Sequence, residues 1–220
     1  MPTSPQTLTV EDRQLVASWA ADCAEHVLAI YETAVPSDTR VRDAIGQARA
    51  FASGELSVAD AIRCRGGDAG AAAREAPTSA SKAAAYAAEQ AAAVAHMGAH
   101  ALGAAGYAAK ASTLDVGCDG DEATRAEASR QVAAMGDAVA RVLACLPALG
   151  ENHAGPLGPG RLSSGHVGQT IRAIQASVDL HLAGQAHRSE SSHSVSPATS
   201  ATSVPLSDPE TVDPSSARTN

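Results

Sequence analysis

Apolar residues recur along this chain at helical spacing, and their stripes place five helices in its first two-thirds. Leu15, Val16, Trp19, Ala20, Cys23, Val27, Ile30 and Tyr31 share a face, with Asp12, Asp22 and Glu32 off it, which predicts a helix over about 9–34. Thr9 and Asp12 form a capping box at its start, and Pro36 stops it. Val41, Ala44, Ile45, Ala48 and Phe51 predict a second helix over about 38–53, closed by Gly54. Ser57 and Asp60 cap a third, over about 57–75, with Val58, Ala61 and Ile62 on its apolar face. Gly66, Gly67 and Gly70 weaken that helix, because each costs about 1 kcal/mol relative to alanine.

The alanine-dense stretch over about 79–112 reads as one long helix or two stacked ones. Ala95, Gly98, Leu102, Ala105 and Ala109 fall near one of its faces, so another helix should approach closely there. Asp119-Gly120-Asp121 opens a fifth helix over about 121–146, striped with Val132, Met135, Val139, Val142, Leu143 and Leu146 and ended by Pro147. Residues 1–8 read as a flexible N-terminus and 147–166 as a Gly/Pro-rich linker. Val167, Ile171, Ile174, Val178 and Leu182 suggest a short, weak helix over 167–184, and residues 185–220, rich in Ser, Thr, Pro and His, read as a disordered tail. The expected fold class is all-α, an alanine-rich multi-helix bundle over 9–146 with a disordered C-terminal tail.

Composition sharpens this picture. One Trp, one Phe and three Tyr leave few bulky groups for a thick core, so helix backbones must come close together. The net charge of -8, with no basic stripe, weighs against nucleic-acid binding and favours a basic partner or no charged partner. Cys23, Cys64, Cys118 and Cys145 are far apart, form no CxxC pair and read as free thiols. The start of the chain lacks the basic and apolar regions of a signal peptide, which makes the cytoplasm the expected compartment. The small-apolar stretch 83–109 contains Glu89, Gln90, His96 and His100 and is not expected to span a membrane.

Five residues stand out as candidate binding groups: His96, His100, Tyr107, Lys110 and Trp19. Histidines four apart on one helix point the same way and could share a metal ion, with Asp22, Glu25 or His26 converging from the first helix. No HExxH pattern accompanies them, so the expectation is no metal and no cofactor; His96 and His100 either donate hydrogen bonds in a lean core or line a groove. Lys110, amid small apolar residues, could act as a nucleophile but more simply caps the C-terminus of its own helix. Trp19 lies on the apolar stripe and reads as core first, binding anchor second. Phosphate-loop, dinucleotide and nucleophile-elbow motifs are absent, no catalytic residue is assigned, and an enzyme is not expected.

Three segments carry a resemblance: LTVEDRQLVASWAADCAEHVL from Leu8, RVRDAIGQARAFASGELSVADA from Arg40 and AHMGAHALGAAGYAAKA from Ala95. Together, over Leu8 to Met135, they resemble the immunity-five-like family of bacterial immunity proteins. The resemblance implies an all-α protein that neutralises a cognate protein toxin by direct, non-catalytic binding. Similar sequences have also carried an exonuclease-subunit label, for which this chain has neither a phosphate loop nor a nuclease carboxylate motif. The alternatives are a metal-binding protein or enzyme built on His96 and His100, and a general helical interaction module. Cys64 to Gly70 and everything after about Gly136 depart from the family pattern, as a shifted reading frame in GC-rich coding DNA would produce.

Overall fold

A computed structural model describes residues 4–64, 68–117 and 121–193, with the side chains of Asp121, Ala123 and 185–193 left aside. Among the described residues the regular structure is entirely helical. The first stripe gives α1 (Val10–His26) and α2 (Leu28–Ala34), interrupted at Val27. The Thr9 hydroxyl accepts from the Asp12 backbone N–H, as a capping residue should. The second gives α3 (Arg40–Ala52), after which Gly54 takes a left-handed φ of 79° that a side chain would resist. The third divides into α4 (Val58–Cys64) and α5 (Ala69–Glu75), and the Gly66-Gly67 pair lies outside the described residues.

The alanine-dense stretch is two helices, α6 (Ser79–Ala93) and α7 (His100–Asp115). Its interruption has a cause in distant hydrogen bonds. The N–H groups of Gly98 and Ala99 donate to the carbonyls of Thr7 and Gln6, while the Arg13 guanidinium donates to the carbonyls of Ala95 at 2.7 Å and His96 at 3.2 Å. Groups that a continuous helix would pair internally are thus committed to the N-terminal segment and α1. The two helices return antiparallel, with Tyr86 beside Tyr107 and Gln90 over Gly103.

The fifth stripe also divides, into α8 (Asp121–Ala133) and α9 (Asp137–Ala144), and the chain ends its described part in α10 (Gly165–His193). Three sequence expectations are corrected here. Residues 1–8 are not a loose end where they are described. Gln6 is fully buried, its side chain accepting from Leu157 N–H at 2.9 Å and donating to the Asn152 carbonyl at 2.9 Å. Residues 147–166 are not a linker, because Leu157 and Leu162 lie in the core and a 3-10 turn forms at Arg161–Ser163. The sixth helix is not short. It begins two residues early and continues nine past 184, into the segment expected to be disordered; residues 194–220 lie outside the described residues.

At the centre lies α7, buried on nearly every side and packed against α6, α1, α10 and α8. Its Ala and Gly surface lets those neighbours close in. A Cβ on Gly106 would meet Val167 Cγ1 of α10 at 2.9 Å, and one on Gly98, just before α7, would meet Leu8 Cδ1 at 2.3 Å. The face expected from Ala95, Gly98, Leu102, Ala105 and Ala109 is buried throughout. Polar bonds cross the same core: Trp19 Nε1 donates to the Gln131 carbonyl at 3.1 Å, and Gln131 Nε2 to the Ala105 carbonyl at 3.0 Å, tying α1 to α8 and α8 to α7.

Bulkier side chains gather where α1, α2 and α3 meet, around Tyr31 and Phe51. There the Tyr31 hydroxyl donates to Asp38 at 2.6 Å, and Arg40 donates to the same carboxylate. The Arg40 guanidinium, joined by the Tyr31 hydroxyl, holds the Asp38 carboxyl well below the usual carboxylate range. The Tyr31 phenol is pushed up to about 12 by its burial and by Asp38. A carboxylate depressed in the folded state contributes its full stabilisation above its unfolded value, about 3.9, and loses it as pH falls through the folded value. Asp38→Asn is therefore expected to cost about 2 kcal/mol at pH 7, with the difference from the parent shrinking as pH is lowered below about 4. Thermal melts across that range check it; a constant difference would remove Asp38 from the acid response.

Candidate functional site

The antiparallel pairing of α6 and α7 creates a seam along which polar side chains collect. Lys82, Tyr86, Glu89 and Gln90 come from successive turns of α6, and His100, Tyr107 and Lys110 from α7, running the opposite way. Arg161 joins from the 3-10 turn, and His96 from the connection between the helices. Four of the five sequence-predicted residues, His96, His100, Tyr107 and Lys110, therefore meet on one face. Trp19 does not. It is 3% exposed in the core, its indole N–H satisfied by Gln131.

The histidines are not arranged as the sequence suggested. His96 is exposed in the connection and His100 is the first residue of α7, so they share no helix. Their rings nevertheless approach, with centroids 6.5 Å apart, and they line a cleft with Glu89, Gln90 and Ala93. His100 Nδ1 is 2.9 Å from Gln90 Oε1. Of the groups that might have completed a metal site, Asp22 and Glu25 accept from Arg49, and His26 lies 3.9 Å from Glu127. Among the described residues no cluster of three or more His, Cys, Asp or Glu side chains is placed to hold a metal ion. His96→Ala should leave stability within about 0.5 kcal/mol, as an exposed substitution does. His100→Ala should cost about 1 kcal/mol through the lost bond to Gln90. Chemical denaturation separates the two, and a large loss at His96 would contradict its exposed placement.

Lys110 is also placed differently from its expectation. Because α7 continues to Asp115, Lys110 sits within the helix rather than at its end, and its side chain lines a second cleft of about 250 Å³ with Ser79, Lys82, Tyr86, Tyr107 and Arg161. Glu89 lines the first cleft. Its carboxylate lies over Gly70 of α5, where a Cβ would come within 2.4 Å of Oε1; burial pushes its proton affinity up while Arg74 and Arg161 pull it down. The Tyr107 phenol is likewise raised by burial, against the pull of Arg161. Sequence reasoning missed Lys82, Tyr86, Gln90 and Arg161. The four-residue step from Lys82 to Tyr86 to Gln90 was a readable signal, but Arg161 has no local one.

Cys23 is buried, which pushes its thiol up and makes it a packing group; Cys64 and Cys145 are exposed, all three are free, and Cys118 lies outside the described residues. No helix among the described residues is long and apolar enough to cross a membrane. No curated protein and no solved structure matches the chain. The family described as Imm-5 like putative immunity protein matches residues 6–138, well over half of the 220 residues and the span that builds every part of the seam but Arg161, and the chain belongs to that family.

Proposed function

We propose that this chain neutralises a cognate bacterial protein toxin by direct, non-catalytic binding, and that the α6–α7 seam is the contact face. The observation that supports the reading is the convergence, inside the family-matched span, of His96, His100, Tyr107 and Lys110 with Tyr86 and Lys82 on a single accessible face. Tyrosine rings held by a rigid helix pair anchor protein interfaces, because they bring large contact area with little conformational freedom to lose, and the lysines beside them add charge that selects the partner. Lys82, Lys110 and Arg161 present positive charge on a chain of net charge -8, which selects an acidic patch of the toxin for this face.

The experiment is co-expression with the toxin encoded by the adjacent gene, followed by titration of purified chain into a toxin activity assay. Binding predicts growth protection, a complex that co-elutes, and inhibition that reaches completion near equimolar chain. Full inhibition at a small fraction of an equivalent would indicate turnover and support an enzyme instead. Failure to bind or protect would leave the chain a helical interaction module of another kind.

A further inference from the structure

We infer that the cleft between the N-terminal half of α6, the C-terminal half of α7 and the Arg161 turn is a binding site for a phosphate group on a small molecule. Three cations, Lys82, Lys110 and Arg161, line it together with the tyrosines Tyr86 and Tyr107 and with Ser79. On a chain of net charge -8 this is a concentration of positive charge that the fold itself does not use. Among the described residues none of these three cations has an ion-pair or side-chain hydrogen-bond partner, whereas Arg40, Arg42, Arg49, Arg63 and Arg130 all do. Glu89, whose carboxylate lies over Gly70 and lines the neighbouring cleft, is within electrostatic reach of Arg161 but forms no ion pair with it among the described residues.

The phenols of the cleft add donors beside the charges. Tyr107, 8% exposed, lines the cleft, and its hydroxyl has no hydrogen-bond partner among the described residues and is not itself buried. That hydroxyl is free to donate to an anion seated in the cleft. The multiplicity of cations selects the ligand. A phosphomonoester carries about -1.5 to -2 charges at pH 7 and offers three acceptor oxygens, enough for an Arg fork, two ammonium groups and a phenol. A carboxylate carries one charge and would leave most of these donors unmatched. The half-buried ring of Tyr86, tilted against Tyr107 at a centroid distance of 5.2 Å, stands where the organic part of such a ligand would lie.

The inference does not rest on the toxin reading, since its test uses the purified full-length chain alone. Inorganic phosphate is titrated at constant ionic strength, with chloride replaced, and amide NMR shifts are followed. Saturable shifts confined to residues around 79–86, 107–110 and 161 are expected. Lys110→Gln and Arg161→Gln should each weaken binding tenfold or more while melting like the parent, and Arg125→Gln, on α8, should bind as the parent does. Adenosine 5′-monophosphate separates the sources: tighter binding than phosphate extends the ligand onto Tyr86, and equal binding confines it to the phosphate group. Shifts that never saturate, binding untouched by either glutamine substitution, or acetate binding as tightly as phosphate would overturn the assignment.

Discussion

A chain ending at Ser164 is expected to lose its cooperative unfolding transition, although it retains all of the family-matched span. The truncation removes Val167, Ile171, Ile174 and Val178, which are 0–3% exposed against the central helix and its neighbours. Each such side chain contributes about 1.5–3 kcal/mol by burial, so about 6–12 kcal/mol disappears from a domain whose whole margin is about 5–15 kcal/mol. The loss also uncovers the face of α7 that packs against α10, an Ala- and Gly-rich surface with no polar groups to offer water. Calorimetry or far-UV circular dichroism of the truncated chain tests this. A sharp melt near that of the full chain would make α10 an appendage. The segment that departs from the family pattern is, on this view, part of the core it follows, whatever the origin of its sequence.

The second large effect is expected at Gly106, where α10 lies close against α7. A methyl group there already meets Val167 Cγ1 at 2.9 Å and the Val167 carbonyl oxygen at 3.2 Å. The second of these contacts is backbone and cannot rotate away. Gly106→Leu must therefore separate the helices, at about 3 kcal/mol or more. Gly46, in α3, has nothing within 4 Å of its would-be Cβ. Gly46→Ala should accordingly stabilise, by about 0.5–1 kcal/mol, through helix propensity alone. Opposite signs at two helical glycines isolate packing from propensity. If Gly106→Leu melts like the parent, the α7–α10 contact is looser than described.

The sequence is informative where local chemistry decides. Thr9, Ser57 and Gly54 announce helix ends through their own side chains or their freedom at positive φ, and the structure places ends there. It is silent where a distant partner decides. Nothing near His96 announces that Arg13 and the carbonyls of Gln6 and Thr7 will end α6 and restart the chain as α7. That single event changes the histidines from an i, i+4 pair into neighbours across a connection. Gln6 and Leu157 show the same limit: a polar residue near the N-terminus and a leucine in a Gly/Pro-rich stretch become core because they bond to each other. Lys110 stands out in the sequence for its apolar surroundings, but its role depends on Lys82 and Arg161, which only the antiparallel hairpin and the 3-10 turn bring alongside.

The claim that the seam is the functional face is tested most directly by isothermal titration of the cognate toxin against charge-reversed variants. Lys82→Glu with Lys110→Glu alters the seam without touching the core, since both side chains reach solvent. Arg125→Glu with Arg141→Glu makes the same change of charge on α8 and α9. The seam variant should bind at least tenfold more weakly than the parent, a loss of about 1.4 kcal/mol or more, and the α8–α9 variant should bind within a factor of about three. Equal weakening of both would reduce the effect to net charge, and full affinity in the seam variant would place the toxin on another face.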